Sequence, residues 1–520
     1  MMKRRKLPIG IQNFREIRAD GHYYVDKTDL ALKLIDDGKH YFLSRPRRFG
    51  KSLFLDTLKE LFEGNEPLFQ GLAAHKQWDW SLKYPVIRIS FGSGNFSIEG
   101  NLQQQLEEQL TEFEKTVGFK PDSSSCSGRF KELIKYVAQQ SAQPAVILID
   151  EYDKPILDAI NQPDIAKENR DFLWGFYGTI KDYDAHIKFS FLTGVSKFSK
   201  VSLFSGLNNL YDITLDPRYS TICGYTDQDI DTVFAAELDG LDRDKVRKWY
   251  NGYNWLGEGV YNPFDILKLF KTRAFKNYWF ETGTPTFLVD LIRERQISTP
   301  NLNNLTSDDE LLSSFEIENI TIEALMFQSG YLTISSVENI EGNNFYELGY
   351  PNLEVYQSLN NSVLKQLVYD GGSQVKQRIQ LSRLLRANNF DGLKSLFHGF
   401  FASIPHHWYS KNEIQNYEGY YASVFYSYFA ALGLDVIVED CTNLGRIDMT
   451  IRFNEQVYIF EFKVVELVPE GNALQQIKEK AYADKYRHLK QMIHLVGVEF
   501  SKVDRNIVGF EVEQAKLDGH

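Results

Sequence analysis

Two groups of residues in this 520-residue chain have the types and spacing to do chemistry. The first ends in Gly50-Lys51-Ser52 and closes the stretch Ser44-Arg45-Pro46-Arg47-Arg48-Phe49. A turn of this kind ahead of a helix lets successive backbone N–H groups converge on a polyphosphate at the positive end of the helix. Lys51 would reach the terminal phosphates and the Ser52 hydroxyl would ligate Mg²⁺. In the pattern G-x-x-x-x-G-K-[ST] the first glycine falls on Arg45, with Pro46 next, so this loop must close without its usual hinge. Its counterpart is Asp150-Glu151, at the end of the apolar run Ala145–Ile149. There Asp150 would hold Mg²⁺ and Glu151 would orient or deprotonate the attacking water. Thr193, at the end of a third apolar run, could sense the terminal phosphate.

The second group is Asp448, Glu461 and Lys463. Two carboxylates offering oxygen ligands to Mg²⁺ or Mn²⁺ suit metal-dependent phosphodiester hydrolysis, with a lysine to position water or neutralise developing charge.

These residues need particular elements to place them. Strand-like runs at Tyr41–Leu43, Val86–Ser90, Val146–Ile149 and Lys188–Leu192 alternate with helical segments such as Asn101–Thr116, which predicts a parallel sheet wrapped by helices. From Tyr225 the chain turns helical and aromatic, and Asn262-Pro263 reads as a cap and first turn. Residues 316–368 read as helix, hairpin and helix, a winged-helix-like order, and Gln380–Phe400 reads as helical. The last region predicts a helix over Glu418–Leu432, a strand at Asp435–Glu439, and a hairpin turning at Asn454-Glu455. Period-two alternation puts Glu461 and Lys463 on one face and Phe460 and Phe462 on the other. Asp448 joins the first pair if the register closes at that turn. A helix over Ala473–His488 would then present Gln476, Lys478, Lys480, Tyr482, Lys485 and Arg487 to a nucleic-acid backbone. The expected division is 1–215, 216–400 and 401–520.

Composition sets the outer bounds. Hydrophobic residues at 43% and charged ones at 25% are globular values, enough for about three cored domains. Cys126, Cys223 and Cys441 form no C-x-x-C pair, so neither a disulfide framework nor a zinc ribbon is expected and a reducing cytoplasm is. No run approaches the ~18 apolar residues of a membrane span. A net charge of −12 argues against a surface that coats nucleic acid indiscriminately and confines such binding to local patches.

The chain resembles, over nearly its whole length, the bacterial AAA-ATPase-like proteins that carry a C-terminal PD-(D/E)XK nuclease-superfamily domain. The resemblance rests on Tyr24-Val-Asp-Lys-Thr28, Arg45-Pro-Arg-Arg-Phe-Gly-Lys-Ser52, Ile149-Asp-Glu-Tyr-Asp153, Thr193-Gly-Val-Ser196, Phe204-Ser-Gly-Leu-Asn-Asn209, Tyr250-Asn-Gly-Tyr253, Gly445-Arg-Ile-Asp448, Glu461-Phe-Lys463 and Gln476-Ile477. It implies a P-loop NTPase domain, a central helical and winged-helix-like region, and an α/β restriction-endonuclease-like domain. It implies ATP on Arg45, Arg47, Arg48, Phe49, Gly50, Lys51 and Ser52 with Asp150, Glu151 and Thr193. A second Mg²⁺ or Mn²⁺ site is implied at Asp448 and Glu461 with Lys463, assisted by Glu418 on the first helix and by Gln476. The loop lacking its first glycine is a trait of the family. The expectation is an ATP-regulated nuclease acting on nucleic acid, with DNA favoured and protomers able to assemble. The alternative is a signalling NTPase whose last domain only binds nucleic acid or a protein, and a third reading is a scaffold with two relic sites. Arg218 is a weaker candidate for an arginine finger.

Overall fold

The computed structural model describes residues 4–197, 209–280, 302–303, 305–309, 312, 321–367, 371–402 and 418–515, with side chains left out at 366–367, 371–374 and 418–420. Of the motif Phe204-Ser-Gly-Leu-Asn-Asn209, residues 204–208 lie outside this set. The chain forms two compact units, Met1–Gly283 with Asn304–Asn352 and Thr284–Asn303 with Leu353–His520.

In the first unit, β1 (His40–Ser44), β2 (Val86–Ser90), β3 (Ala145–Asp150), β4 (Ile187–Gly194) and β5 (Tyr211–Asp212) make a parallel sheet of order β2-β3-β4-β1-β5. Strands β1 and β3 are buried throughout, as uninterrupted apolar runs require when helices cover both faces. The helix Lys51–Phe62 leaves β1 after one tight turn and buries Phe54, Leu55, Leu58 and Leu61, with Phe54 5.6 Å from Phe191 of β4. Because β4 lies between β1 and β3, Thr193 sits between the loop and Asp150, paired in register with Leu43.

Residues after 209 extend this unit with an aromatic core that includes Tyr23, Phe234, Tyr250, Tyr261 and Phe270. Asn262 caps the helix Pro263–Thr272 by accepting the Phe264 N–H at 2.9 Å. Helix Ile322–Ser329 is followed by the hairpin β7 (Thr333–Ile340) and β8 (Asn343–Gly349). Upstream β6 (Leu305–Asp308) joins it as a third antiparallel strand, a partner the sequence pattern does not reveal.

The second unit is a mixed sheet of order β13-β12-β11-β10-β9, formed by β9 (Asp435–Cys441), β10 (Arg446–Phe453), β11 (Gln456–Val465), β12 (Met492–Ser501) and β13 (Asn506–Gln514). Only β11 and β12 run parallel. The helix Glu418–Ala431 covers one face, with Phe425 5.1 Å from Phe462 and Phe429 5.7 Å from Phe460. The other face buries Ile447, Val457 and Ile459 against Ile477, Tyr482 and Tyr486.

Two segments predicted helical each carry a break. Gln380–Phe400 resolves into Gly371–Arg386 and Phe390–Ala402, with Asn388 left-handed between them. Ala473–His488 resolves into the helix Asn472–Glu479 and the tighter turn Tyr482–Leu489, broken at left-handed Ala481. The break lets the Tyr482 hydroxyl donate to the Arg446 carbonyl at 2.9 Å and the Tyr486 hydroxyl to Asp440. Among the described residues no helix is long and apolar enough to cross a membrane.

Candidate functional sites

The loop between β1 and its helix takes its shape from distant side chains. Its left-handed positions are Arg48 (φ 68°) and Gly50 (φ 95°); position 45 is not left-handed and therefore needs no glycine. The Arg45 guanidinium turns away from Lys51 into the interior and donates to the carbonyls of Ser44 (2.8 Å), Thr214 (2.9 Å) and Tyr219 (3.3 Å). It also lies 4.1 Å from the centre of the Trp255 ring, and burial lowers it to about 10. Pro46 packs on Gly330, and Phe49 sits edge-on between Tyr253 and Trp255. The Arg47 carbonyl accepts from Asn262 and from the Trp279 indole at 3.1 Å. Gly252 of Tyr250-Asn-Gly-Tyr253 backs onto the Pro351 carbonyl, where a Cβ would stand only 1.8 Å away.

A cavity of about 410 Å³ opens at the carboxyl end of the sheet, lined by Arg47, Arg48, Gly50, Lys51, Ser52 and Glu151, with Tyr225, Phe264 and Leu267 as an apolar wall. Arg48 lies over the Phe264 ring at 5.1 Å. Gly50 caps the helix with no side-chain acceptor, so no side chain competes for its first N–H groups. Lys51 Nζ donates to the carbonyls of Arg45 (2.8 Å) and Pro46 (3.0 Å). Burial lowers its affinity for a proton, opposed by Asp150 and Glu151.

Across the cavity, Thr193 Oγ1 donates to Asp150 Oδ1 at 2.8 Å, and the Arg88 guanidinium stands 3.8 Å from Asp150 Oδ2. Glu151, left-handed at φ 53°, has its carboxyl raised by burial. Sequence reasoning missed Asp153, whose Oδ2 accepts the Val195 N–H (3.0 Å), the Ser196 N–H (2.6 Å) and the Ser196 hydroxyl (2.6 Å). This clamp ties the end of β3 to the end of β4. Gly194 is required there because a Cβ would meet Asp153 Oδ1 at 2.5 Å and the Tyr152 ring at 2.6 Å. The repeated acids of Asp150-Glu151-Tyr152-Asp153 were the available signal. Arg218 lines a different cavity and pairs with Asp216 (2.7 Å) and Asp37 (3.3 Å).

In the second unit the turn at Asn454 (φ 53°) and Glu455 (φ 59°) closes a two-residue hairpin pairing Met449 with Phe460. Continued one residue past Met449 and Phe460, that register brings Asp448 opposite Glu461. Asp448 Oδ2 accepts the Phe462 N–H at 2.8 Å, and Lys463 Nζ donates to Glu461 Oε1 at 3.0 Å. Gln476 Nε2 donates to the same Oε1. The second oxygen of Glu461, buried and without a hydrogen-bond donor, is the orphan of the site. Burial, reinforced by Asp448 and opposed by Lys463, lifts the Glu461 carboxyl to about 7. A carboxylate pair with an unsatisfied inward oxygen fits a divalent cation, although no group of three metal-ligating side chains occurs among the described residues. The helix beginning at Glu418 packs on the opposite face, against Phe460 and Phe462, and the Glu418 side chain is outside the described set. The cations expected to face nucleic acid are partly engaged: Lys478 with Glu513, Lys485 with Asp440 and Arg487 with Asp484.

Comparison with known proteins finds a match in each of the two regions. A family model described as "Predicted AAA-ATPase" matches residues 8–204, and one described as "PD-(D/E)XK nuclease superfamily" matches residues 416–510. A protein of Azotobacter chroococcum mcd 1, described as an uncharacterized protein in the vnfD 5′ region, is 60% identical over 513 residues, 98% of this chain and 99% of that protein. With its order of strands, its Gly-Lys-Ser turn and its Asp448–Glu461 pairing, the chain belongs to the AAA-ATPase-like family that carries a C-terminal PD-(D/E)XK nuclease-superfamily domain.

Proposed function

We propose that the chain binds and hydrolyses ATP at Lys51, Ser52, Asp150 and Glu151, and that nucleotide state regulates cleavage of nucleic acid at Asp448, Glu461 and Lys463. The observation carrying this reading is the Glu461 carboxyl, with one orphaned oxygen, placed beside Asp448 and touched by both Lys463 and Gln476. Divalent cation bound there would supply Lewis-acid stabilisation of the phosphoryl group and a hydroxide at neutral pH. Asp448 and Glu461 would hold it, Lys463 would offset charge on the phosphate oxygens, and Gln476 would fix the rotamer of Glu461. In the first unit Ser52 and Asp150 would hold Mg²⁺, Lys51 would leave the loop carbonyls for the phosphates, Glu151 would orient water, and Thr193 would hold Asp150.

The test is cleavage of plasmid and single-stranded DNA by the full chain in Mg²⁺ or Mn²⁺, with and without ATP, beside Asp448→Ala and Lys51→Ala. The expected result is cleavage lost in Asp448→Ala and an ATP effect lost in Lys51→Ala. Cleavage intact in Asp448→Ala would overturn the nuclease assignment. The internal pairing of Lys478, Lys485 and Arg487 favours a second reading, a switch NTPase whose last domain binds a partner without cutting nucleic acid. ATP binding with no cleavage under any metal would select it.

A further inference from the structure

Gln476 reaches Glu461 only because the helix Asn472–Glu479 is held hard against the sheet, and two residues of β12 do the holding. Gly497 is the neighbour of Glu461 in the parallel register, and Glu499 is the neighbour of Lys463. A Cβ at Gly497 would stand 2.4 Å from the Leu474 backbone nitrogen and 2.9 Å from its Cα, so only glycine admits the helix at this depth. Glu499 is 2% exposed. Its Oε2 accepts the N–H groups of Glu470 (2.6 Å) and Gly471 (3.1 Å), and its Oε1 accepts that of Ala473 (3.3 Å). The helix has no cap of its own, since Gly471 precedes it in a left-handed conformation. The Glu499 carboxylate instead takes one of its first-turn donors, the Ala473 N–H, together with the N–H groups of Glu470 and Gly471 that lead into it. Gly509, paired with Glu499 across β12 and β13, leaves room for that side chain, as a Cβ there would lie 3.1 Å from Glu499 Oε2.

We propose that Glu499 is a positioning residue of the nuclease-like site: its buried carboxylate caps and fixes the helix that delivers Gln476 to Glu461. This role rests on the reading of Asp448 and Glu461 as the metal-binding pair. Glu499→Gln keeps the shape but turns an NH₂ group toward backbone donors. Gly497→Ala displaces the same helix without altering any polar group, and so serves where Glu499→Gln fails to fold.

The experiment measures Mn²⁺ binding to the full chain by calorimetry, alongside DNA cleavage and thermal unfolding, for both variants alone and combined with Gln476→Ala. The expected result is a roughly tenfold loss of Mn²⁺ affinity in each single variant, the usual scale for groups that orient a metal ligand. Adding Gln476→Ala should cost nothing further, because all three changes remove one contact. A merely structural role would lower the melting temperature and leave the effects on Mn²⁺ additive. Unchanged affinity, or full additivity with Gln476→Ala, overturns the proposal alone; a wild-type chain that binds no Mn²⁺ overturns the nuclease reading and this role with it.

Discussion

The two sites handle charge in opposite ways. In the first unit three ionised groups around the loop are answered inside the protein: Lys51 by two carbonyls, Asp150 by Thr193 and Arg88, Asp153 by three donors from Val195 and Ser196. In the second unit Asp448 and Glu461 face each other across paired strands, and one Glu461 oxygen has no donor. A polyphosphate, if bound as proposed, would bring negative charge to a set of donors already held in place. A divalent cation would relieve a repulsion that the fold itself creates. Satisfied charges favour a rigid frame, and unsatisfied ones favour a site whose ligand contributes to its stability.

The sharpest way to break this contrast is to strip the frame of the first site. Arg45→Ala removes the donors to three buried carbonyls and leaves a hole beside Trp255, and should cost the first unit about 3–5 kcal/mol, read by denaturant unfolding. A loss under 1 kcal/mol would show that the loop is held by Pro46, Phe49 and the bonds to the Arg47 carbonyl without Arg45. The second site is tested by pH. Since the Glu461 carboxyl is raised from 4.5 to about 7, proton and metal compete up to that value. Mn²⁺ affinity should therefore rise by roughly tenfold per unit from pH 5 to 7 and level off above, read by calorimetry. The same raised value predicts that the metal-free chain loses stability as pH climbs from 4.5 to about 7, the reverse of an ordinary paired carboxylate. A flat metal profile across that window would place Glu461 in the ordinary range. The smallest effect concerns the Asp153 clamp: Gly194→Ala, forced against Asp153 and Tyr152, should cost about 1–3 kcal/mol, measured as a lowered melting temperature.

Much of this was legible in the amino-acid order because it depends on local periodicity. Ala145–Ile149 is a buried strand in sequence and in structure, and Asn454-Glu455 turns the hairpin where alternation of apolar residues predicts it. Hence Glu461 and Lys463 share a face, and Asp448 meets them. What stayed hidden depends on contacts between distant segments. Arg45 occupies the position of a missing glycine, and nothing near it in sequence says that its partners are carbonyls at 214 and 219. Ala481 has strong helix propensity yet breaks its helix, because Tyr482 and Tyr486 gain more by reaching Arg446 and Asp440. Glu499 reads as one more strand residue until the helix it caps is in view.

The dependence of the loop on Asn262, Trp279 and Gly330 has a consequence for synthesis. A ribosome that has released residues 1–215 has released every Lys51, Asp150 and Glu151 side chain of the site but few of the side chains that shape its loop. Nascent chains of that length should be unable to retain nucleotide, and the capacity should switch on only once the segment through Gly330 has emerged. On the proposed function, nucleotide binding would then report that translation has passed the middle of the message, before the nuclease-like domain has been made.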